Sequence, residues 1–393
     1  MKKIVVLAMS LVLTWSAWAQ EFGYGFTVTK ENPITSIKNQ ASSGTCWSFS
    51  GVGFLESEVL RMKKVEVDLS DMYIVRRNYA DKAEKFIRLN GNLNFAQGGS
   101  FADVIETLNE YGVLPESAYQ GLNYGETLHK HSEMEKALSG YINAINSNPN
   151  RKLSTAWFNG FNGILDAYMG AVPKDFQVDG KTYTAQEYAK SLGLDANNYV
   201  SLTSFTHHPF YQTFAIEVPD NWRWALSYNL PMDELIQVLD NAINNGYTIA
   251  WATDVSEIGF TRDGVAVIPD ENAPENIGSD QAHWLGLRQA EKDSQLKMKV
   301  GQGPVKEKEI TQEMRQIAYD NRETTDDHGM QIYGLAKDKN GNKYYMVKNS
   351  WGETGKYKGL WYASEAFVKY KTISVVVNKE SLPKDITKKL NLN

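Results

Sequence analysis

Apolar residues recur at helical spacing directly after the chain's one cysteine: Trp47, Phe49, Val52, Phe54, Leu55, Val59 and Leu60. Positions near i, i+3, i+4 and i+7 predict one buried helix face. The loop formers Ser42, Ser43, Gly44 and Thr45 precede it, which places Cys46 at or just inside a helix N-terminus. Upstream, Phe22, Tyr24, Phe26 and Val28 alternate as a strand does. Downstream, Val65 to Leu69 is a short apolar alternation, and residues 71–89 read as a helix. The sharp break Gln97-Gly98-Gly99-Ser100 comes before another helix, from Phe101 to Tyr111. Helical pieces at 132–144 and 185–192 stand within a stretch dense in Asn, Tyr and Gly. Pro231 opens a helix carrying Met232, Leu235, Ile236, Leu239, Ala242 and Ile243, which Asn245-Gly246 ends. A strand over 247–253 follows, then an irregular, charged region with a helix from Ile310 to Tyr319. From Met330 the period becomes that of strands. Residues 331–336 and 343–348 flank the turn Asp338-Lys339-Asn340-Gly341 as a hairpin, and strands over 360–363 and 372–377 follow.

Helical patterns thus dominate early in the chain and strand patterns late. Composition supports a large core, with 42% hydrophobic and 12% aromatic residues. The net charge is −6 and no basic block stands out, so nucleic acid and anionic membrane surfaces are not expected partners. The first 19 residues read as a leader rather than as part of the fold. Lys2 and Lys3 precede the apolar run Ile4–Leu13, and Ala17-Trp18-Ala19 is a small-x-small site before Gln20. The run is too short to span a membrane and no cysteine follows the site, so no membrane anchor is expected. The expected location is the periplasm or the medium.

Export sharpens the meaning of Cys46. A single cysteine in an exported chain is an intermolecular partner, a reactive thiol or an inert buried side chain. At a helix N-terminus, free N–H groups and the helix dipole lower a thiol's pKa and favour a thiolate nucleophile. Such a nucleophile needs a base, a group to orient the base, and oxyanion donors. Among six histidines, His328 stands just before the hairpin, which returns to Asn349-Ser350-Trp351-Gly352. The hairpin register can bring Asn349 beside His328, so that its side-chain oxygen orients the imidazole while Trp351 shields the pair from water. His283 has no comparable orienter downstream. Gln40, six residues before Cys46, and the Cys46 N–H are the candidate oxyanion donors. His129/His131 and His207/His208 lie at spacings that share no helix face, and read as loop histidines. No metal or cofactor is expected.

The blocks Gln40-x5-Cys46-Trp47-Ser48-Phe49, Asp327-His328-Gly329 and Asn349-Ser350-Trp351-Gly352, in this order, resemble the papain superfamily of cysteine peptidases. The resemblance implies an α+β, two-lobed papain-like fold, a helical lobe carrying Cys46 packed against an antiparallel β-rich lobe, with large, mostly helical insertions. It names Cys46 as nucleophile, His328 as base and acid, Asn349 as its orienter and Gln40 as oxyanion donor. It also implies that Gly98 and Gly99 lie beside the main chain of a peptide substrate. From Cys46 to His328 is 282 residues, against about 130–150 in the papain-like digestive enzymes. That length resembles the bleomycin hydrolase and aminopeptidase C branch. The implied organisation is a leader over 1–19, a core over 20–121 and a helical insertion over 122–230. A β-rich lobe over 231–380, itself interrupted at 256–320, and a tail over 381–393 complete it. The branch implies a homo-hexamer and a C-terminal arm lying in the cleft, whose end captures the substrate's amine. Here Leu382–Asn393 reads as short of a full arm, which leaves aminopeptidase and endopeptidase modes both open. Export also suggests a cell-wall peptide amidase. A non-catalytic peptide-binding protein would not need all four polar residues.

Overall fold

The computed structural model describes residues 23–150, 152–278 and 281–392. The leader over 1–19 and Phe22 lie outside them. The elements run in the order β1 (Thr27–Glu31), α1 (Cys46–Lys63), α2 (Asp71–Arg88), α3 (Phe101–Tyr111), α4 (Ser132–Asn146) and α5 (Ala156–Met169). Next come β2 (Phe176–Val178), β3 (Lys181–Tyr183), α6 (Ala185–Leu192), β4 (Tyr199–Thr203), β5 (Thr213–Ala215) and β6 (Leu226–Asn229). Then follow α7 (Met232–Asn244), β7 (Ile249–Thr253), β8 (Val265–Ala266), α8 (Pro274–Ile277), α9 (Gln281–Gly286), α10 (Gln289–Gln302) and α11 (Gln312–Asp320). The chain closes with β9 (His328–Lys337), β10 (Lys343–Lys348), β11 (Leu360–Ser364), α12 (Glu365–Lys371), β12 (Thr372–Asn378) and α13 (Lys384–Lys389).

One large sheet runs β5-β6-β4-β12-β7-β9-β10-β11-β8, with β1 on the far half of β9. One core forms where α1, α2, α3 and the insertion helices meet. Another lies on the sheet under α7 and α12. Helix α1 sits between the two and packs on α2, α3, β7 and β9. The pattern predicted one buried face for α1, but Trp47 to Val59 are all buried, Glu56 and Glu58 included. A helix with neighbours on every side has no solvent face to leave polar, so its polar residues are paired instead.

Three other expectations need correction. The 122–230 insertion was read as helical, yet residues 199–229 supply β4, β5 and β6 to the main sheet, with β4 beside β12. These strands are only 3–5 residues long, too short for a period-2 signal. The β-rich lobe was expected to be antiparallel, but β4–β6 and β8–β11 pair in parallel. The first strand begins at Thr27, and Val28 is exposed, so the alternation from Phe22 to Val28 is not that of the observed strand. The tail is also ordered: Ile386 and Leu390 are buried in the sheet-side core, and Lys389 Nζ pairs with Glu234 on α7 at 2.8 Å.

Candidate active site

Cys46 is the first residue of α1, and its N–H is among those a helix leaves unpaired. The preceding loop is held from both sides. Gln40 N–H donates to Ser350 O (2.8 Å), and Gly44 N–H donates to the Gln97 side chain (2.7 Å). The Gln40 amide is fixed by two bonds. Its oxygen accepts from Ser350 Oγ (2.6 Å) and its nitrogen donates one hydrogen to Ser43 O (2.7 Å). The other hydrogen is free of those bonds, and Gln40 lines the same cavity as Cys46.

His328 opens β9, and Asn349 follows the last residue of β10, so the hairpin register sets them side by side. Ser350 N–H donates to Asn349 Oδ1 (2.7 Å), which fixes that oxygen as an acceptor. His328 Nε2, 2.8 Å from the same oxygen, is therefore the donor, and Nδ1 is left without its proton. Trp351 lies against the imidazole with ring centroids 4.7 Å apart, and both His328 and Asn349 are buried. The backbone at Gly329 passes so close to α1 that a Cβ there would meet Trp47 Cα at 3.2 Å. This approach brings the Gly329 N–H to the Cys46 sulfur.

The cavity between these groups has a volume of about 370 Å³. Cys46, Gln40, His328, Trp351, Gly98 and Gly99 all line it. Asn349 stands behind His328. His283, on α9, is not among the lining residues. Among the lining residues, the aspartates Asp220 and Asp326 were given no role from the sequence.

The electrostatics differ from the expectation of a thiol lowered by its helix. Enclosure pushes the half-buried Cys46 thiol up to about 12, with the Asp326 and Asp220 carboxylates adding to the rise, while the Gly329 and Trp47 N–H groups pull it down by less. Burial likewise pushes His328 down to about 4, opposed by its bond to Asn349. The helix end acts within one turn and is outweighed by an enclosed site. Each group is thus neutral unless the two charge together. A proton passed from sulfur to Nδ1 would leave a thiolate facing the Gly329 and Trp47 N–H groups, and an imidazolium held by Asn349.

The remaining histidines sit elsewhere. His129 and His131 are buried edge to face, and burial pushes both down to about 4. His207 and His208 meet Glu217, with possible metal-ligand atoms within 4.8 Å of one another. The carboxylate oxygens of Glu217 are already bonded to the two imidazoles at 3.1 and 3.3 Å.

Comparison with known proteins gives a consistent result. Residues 25–196 match the model of papain family cysteine proteases, and residues 307–393 match that of the peptidase C1-like family. Aminopeptidase G of Lactobacillus delbrueckii subsp. lactis is 24% identical, over 90% of this chain and 83% of its own length. Aminopeptidase C of Lactobacillus helveticus is 23% identical, over 91% and 84%. The crystal structure of PepW from Lactobacillus rhamnosis superposes with a TM-score of 0.69 at 17% identity, covering 93% of this chain and 84% of that one. That likeness establishes a shared fold.

Proposed function

The chain belongs to the papain superfamily of cysteine peptidases, and from that premise we propose that it is an aminopeptidase of the bleomycin hydrolase type. The observation that carries the reading is the Asn349-oriented His328 lining one cavity with Cys46 at the start of α1. Cys46 gives its proton to His328 Nδ1, and the thiolate attacks the peptide carbonyl. A C–S bond forms, and the oxyanion is received by the Cys46 N–H and the free Gln40 N–H. His328 returns the proton to the leaving nitrogen as the C–N bond breaks. Water then attacks the thioester, giving a proton to His328, and the acid leaves as the thiol is restored. Gly98 and Gly99 run beside the main chain of the acyl part, and Trp351 keeps water from the His328–Asn349 bond. The relatives' names support the aminopeptidase mode. The pattern of residues 1–19 supports work outside the cytoplasm.

Gln40→Ala is expected to lower kcat about 100- to 1000-fold with little change in KM, the loss of one oxyanion donor worth about 3 kcal/mol. Steady-state kinetics on a fluorogenic aminoacyl amide measures it, and an effect confined to KM would remove Gln40 from the oxyanion site. The function itself is tested with a peptidyl epoxide. Stoichiometric alkylation of Cys46, read by mass spectrometry, with loss of aminoacyl-amide hydrolysis, is the expected result. Labelling that leaves hydrolysis intact would place the activity elsewhere.

A further inference from the structure

The catalytic cavity carries three carboxylates that the hydrolytic steps do not use: Asp327, which accepts from Val255 N–H (2.9 Å), and Asp220 and Asp326, which accept from no described residue. Asp220 reaches it from the loop between β5 and β6, far from the catalytic blocks in sequence. That loop is clamped to the helical lobe. Arg223 Nε donates to Asp103 (2.7 Å), its terminal nitrogen to Asp81 (2.6 Å), and Trp222 Nε1 to Asp103 (3.0 Å). Asp103 is fully buried, so the clamp is made in a dry setting. It sets the Asp220 carboxylate against Gly98 so closely that a Cβ there would lie 2.2 Å from its Oδ2. Asp326 meets it from the other lobe, two residues before His328. It lines the catalytic cavity and also a small, mainly apolar recess that opens beside it past Phe101 and Ala252.

Neither carboxylate has a hydrogen bond or an ion pair with any described residue. The neighbouring cation, Lys82, donates to Ala96 O (3.0 Å) and Gly98 O (2.6 Å) and pairs with neither aspartate. Both side chains are half-buried, so their unpaired oxygens face the cavity where the substrate lies. Burial pushes Asp326 up to about 8 and Asp220 up to about 6, and Asp220 adds to the rise at Asp326. A cation brought between them would favour both in the charged form, as Lys82 already does at Asp220, and its place is set by the chemistry beside it. Gly98 belongs to the wall assigned to the acyl part of the substrate. A cation held there sits on the substrate upstream of the attacked carbonyl.

We propose that Asp220 and Asp326 form the subsite for the α-ammonium of the substrate's first residue, and that this pair selects peptides with a free N-terminus. The proposal rests on the peptidase reading above and names the residues that would give it its exo mode. Among the described residues, none of 381–392 lines the cavity.

The test compares alanyl-coumarin amide with its N-acetyl twin, on the wild type, Asp326→Asn and Asp220→Asn. A second pair, of N-blocked substrates, carries lysine or norleucine before the cleaved residue. The wild type is expected to favour the free amine by about 10- to 100-fold in kcat/KM, the worth of a charge-assisted bond. Each Asn variant should lose most of that ratio, mainly through KM, while the epoxide still labels Cys46. Equal rates on both twins, or an unchanged ratio in both variants, overturn the proposal and leave the peptidase reading standing. A preference for lysine over norleucine that the Asn variants abolish would assign the pair to a side chain and overturn it too. If neither coumarin amide is cut and the epoxide does not label Cys46, the peptidase reading falls, and the proposal with it.

Discussion

Cys46→Ala is expected to abolish turnover of aminoacyl and peptidyl amides, with a fall of at least about 10⁴-fold in kcat. No other described residue can replace the sulfur, since the chain has one cysteine and Ser43 and Thr45 are bonded to each other at 2.6 Å. His328→Ala should cost a similar factor, because a thiol that burial holds near 12 has no thiolate to offer without a base beside it. The double variant should then be little worse than either single one, as expected of groups that act as a unit. Rates from initial-velocity assays on the three proteins decide this, with circular dichroism confirming that each is folded. Independent, multiplying losses would mean that sulfur and imidazole do not share a step. A Cys46→Ala enzyme keeping even one part in a hundred of the wild-type rate would remove Cys46 as the nucleophile.

The contrast between those residues and Asp220 shows what this sequence made legible. The His328–Asn349 contact follows from a hairpin whose turn is written in Asp338–Gly341, so local rules suffice to align residues 21 apart. The Gln40 loop is likewise local to Cys46. Asp220 is different, since its position depends on Arg223 and Trp222 finding Asp103 across about 120 residues. No periodicity records such a clamp. Helix α1 was misread for a related reason. Its polar residues Glu56 and Glu58 look like a solvent face until their partners, Lys38, Thr35, Asn378 and Arg61, are placed around them. The thiol's pKa was misjudged because the helix end is visible in sequence while the enclosure made by Gly329 and the second lobe is not.

Lys38→Met is expected to destabilise the protein by about 3–5 kcal/mol at pH 8, the cost of stranding buried carboxylates. Lys38 Nζ lies 2.9 Å from Glu56, 2.9 Å from Asp68 and 3.1 Å from Asp71, and the side chains of Glu56 and Asp71 are almost wholly buried. Glu56 also accepts from Thr35 Oγ1 (2.6 Å) and Leu69 N–H (2.9 Å), so it ties the segment before Gln40 to α1 and to the entry of α2. Lys348 bonds Thr35 at 3.0 Å but forms no ion pair with Glu56 among the described residues, so it does not replace the lost charge. Burial already pushes Asp71 up to about 7 despite Lys38, and Asp68 and Glu56 add to that rise. Removing the lysine raises it further. A carboxyl whose folded pKa lies above its unfolded value contributes stability at low pH, which is lost as the pH rises through the folded value. The deficit should therefore shrink at pH 5, where Asp71 can protonate, and grow through neutrality. Urea unfolding at the two pH values reads this, with Met keeping most of the lysine's length so that packing is little changed. A loss equal at pH 5 and pH 8 would assign it to packing rather than charge. The same variant links stability to catalysis, because Lys38 is two residues from Gln40. Its kcat should fall less than that of Gln40→Ala at pH 5, where the loop is still held by Ser350 and Asp71 is protonated.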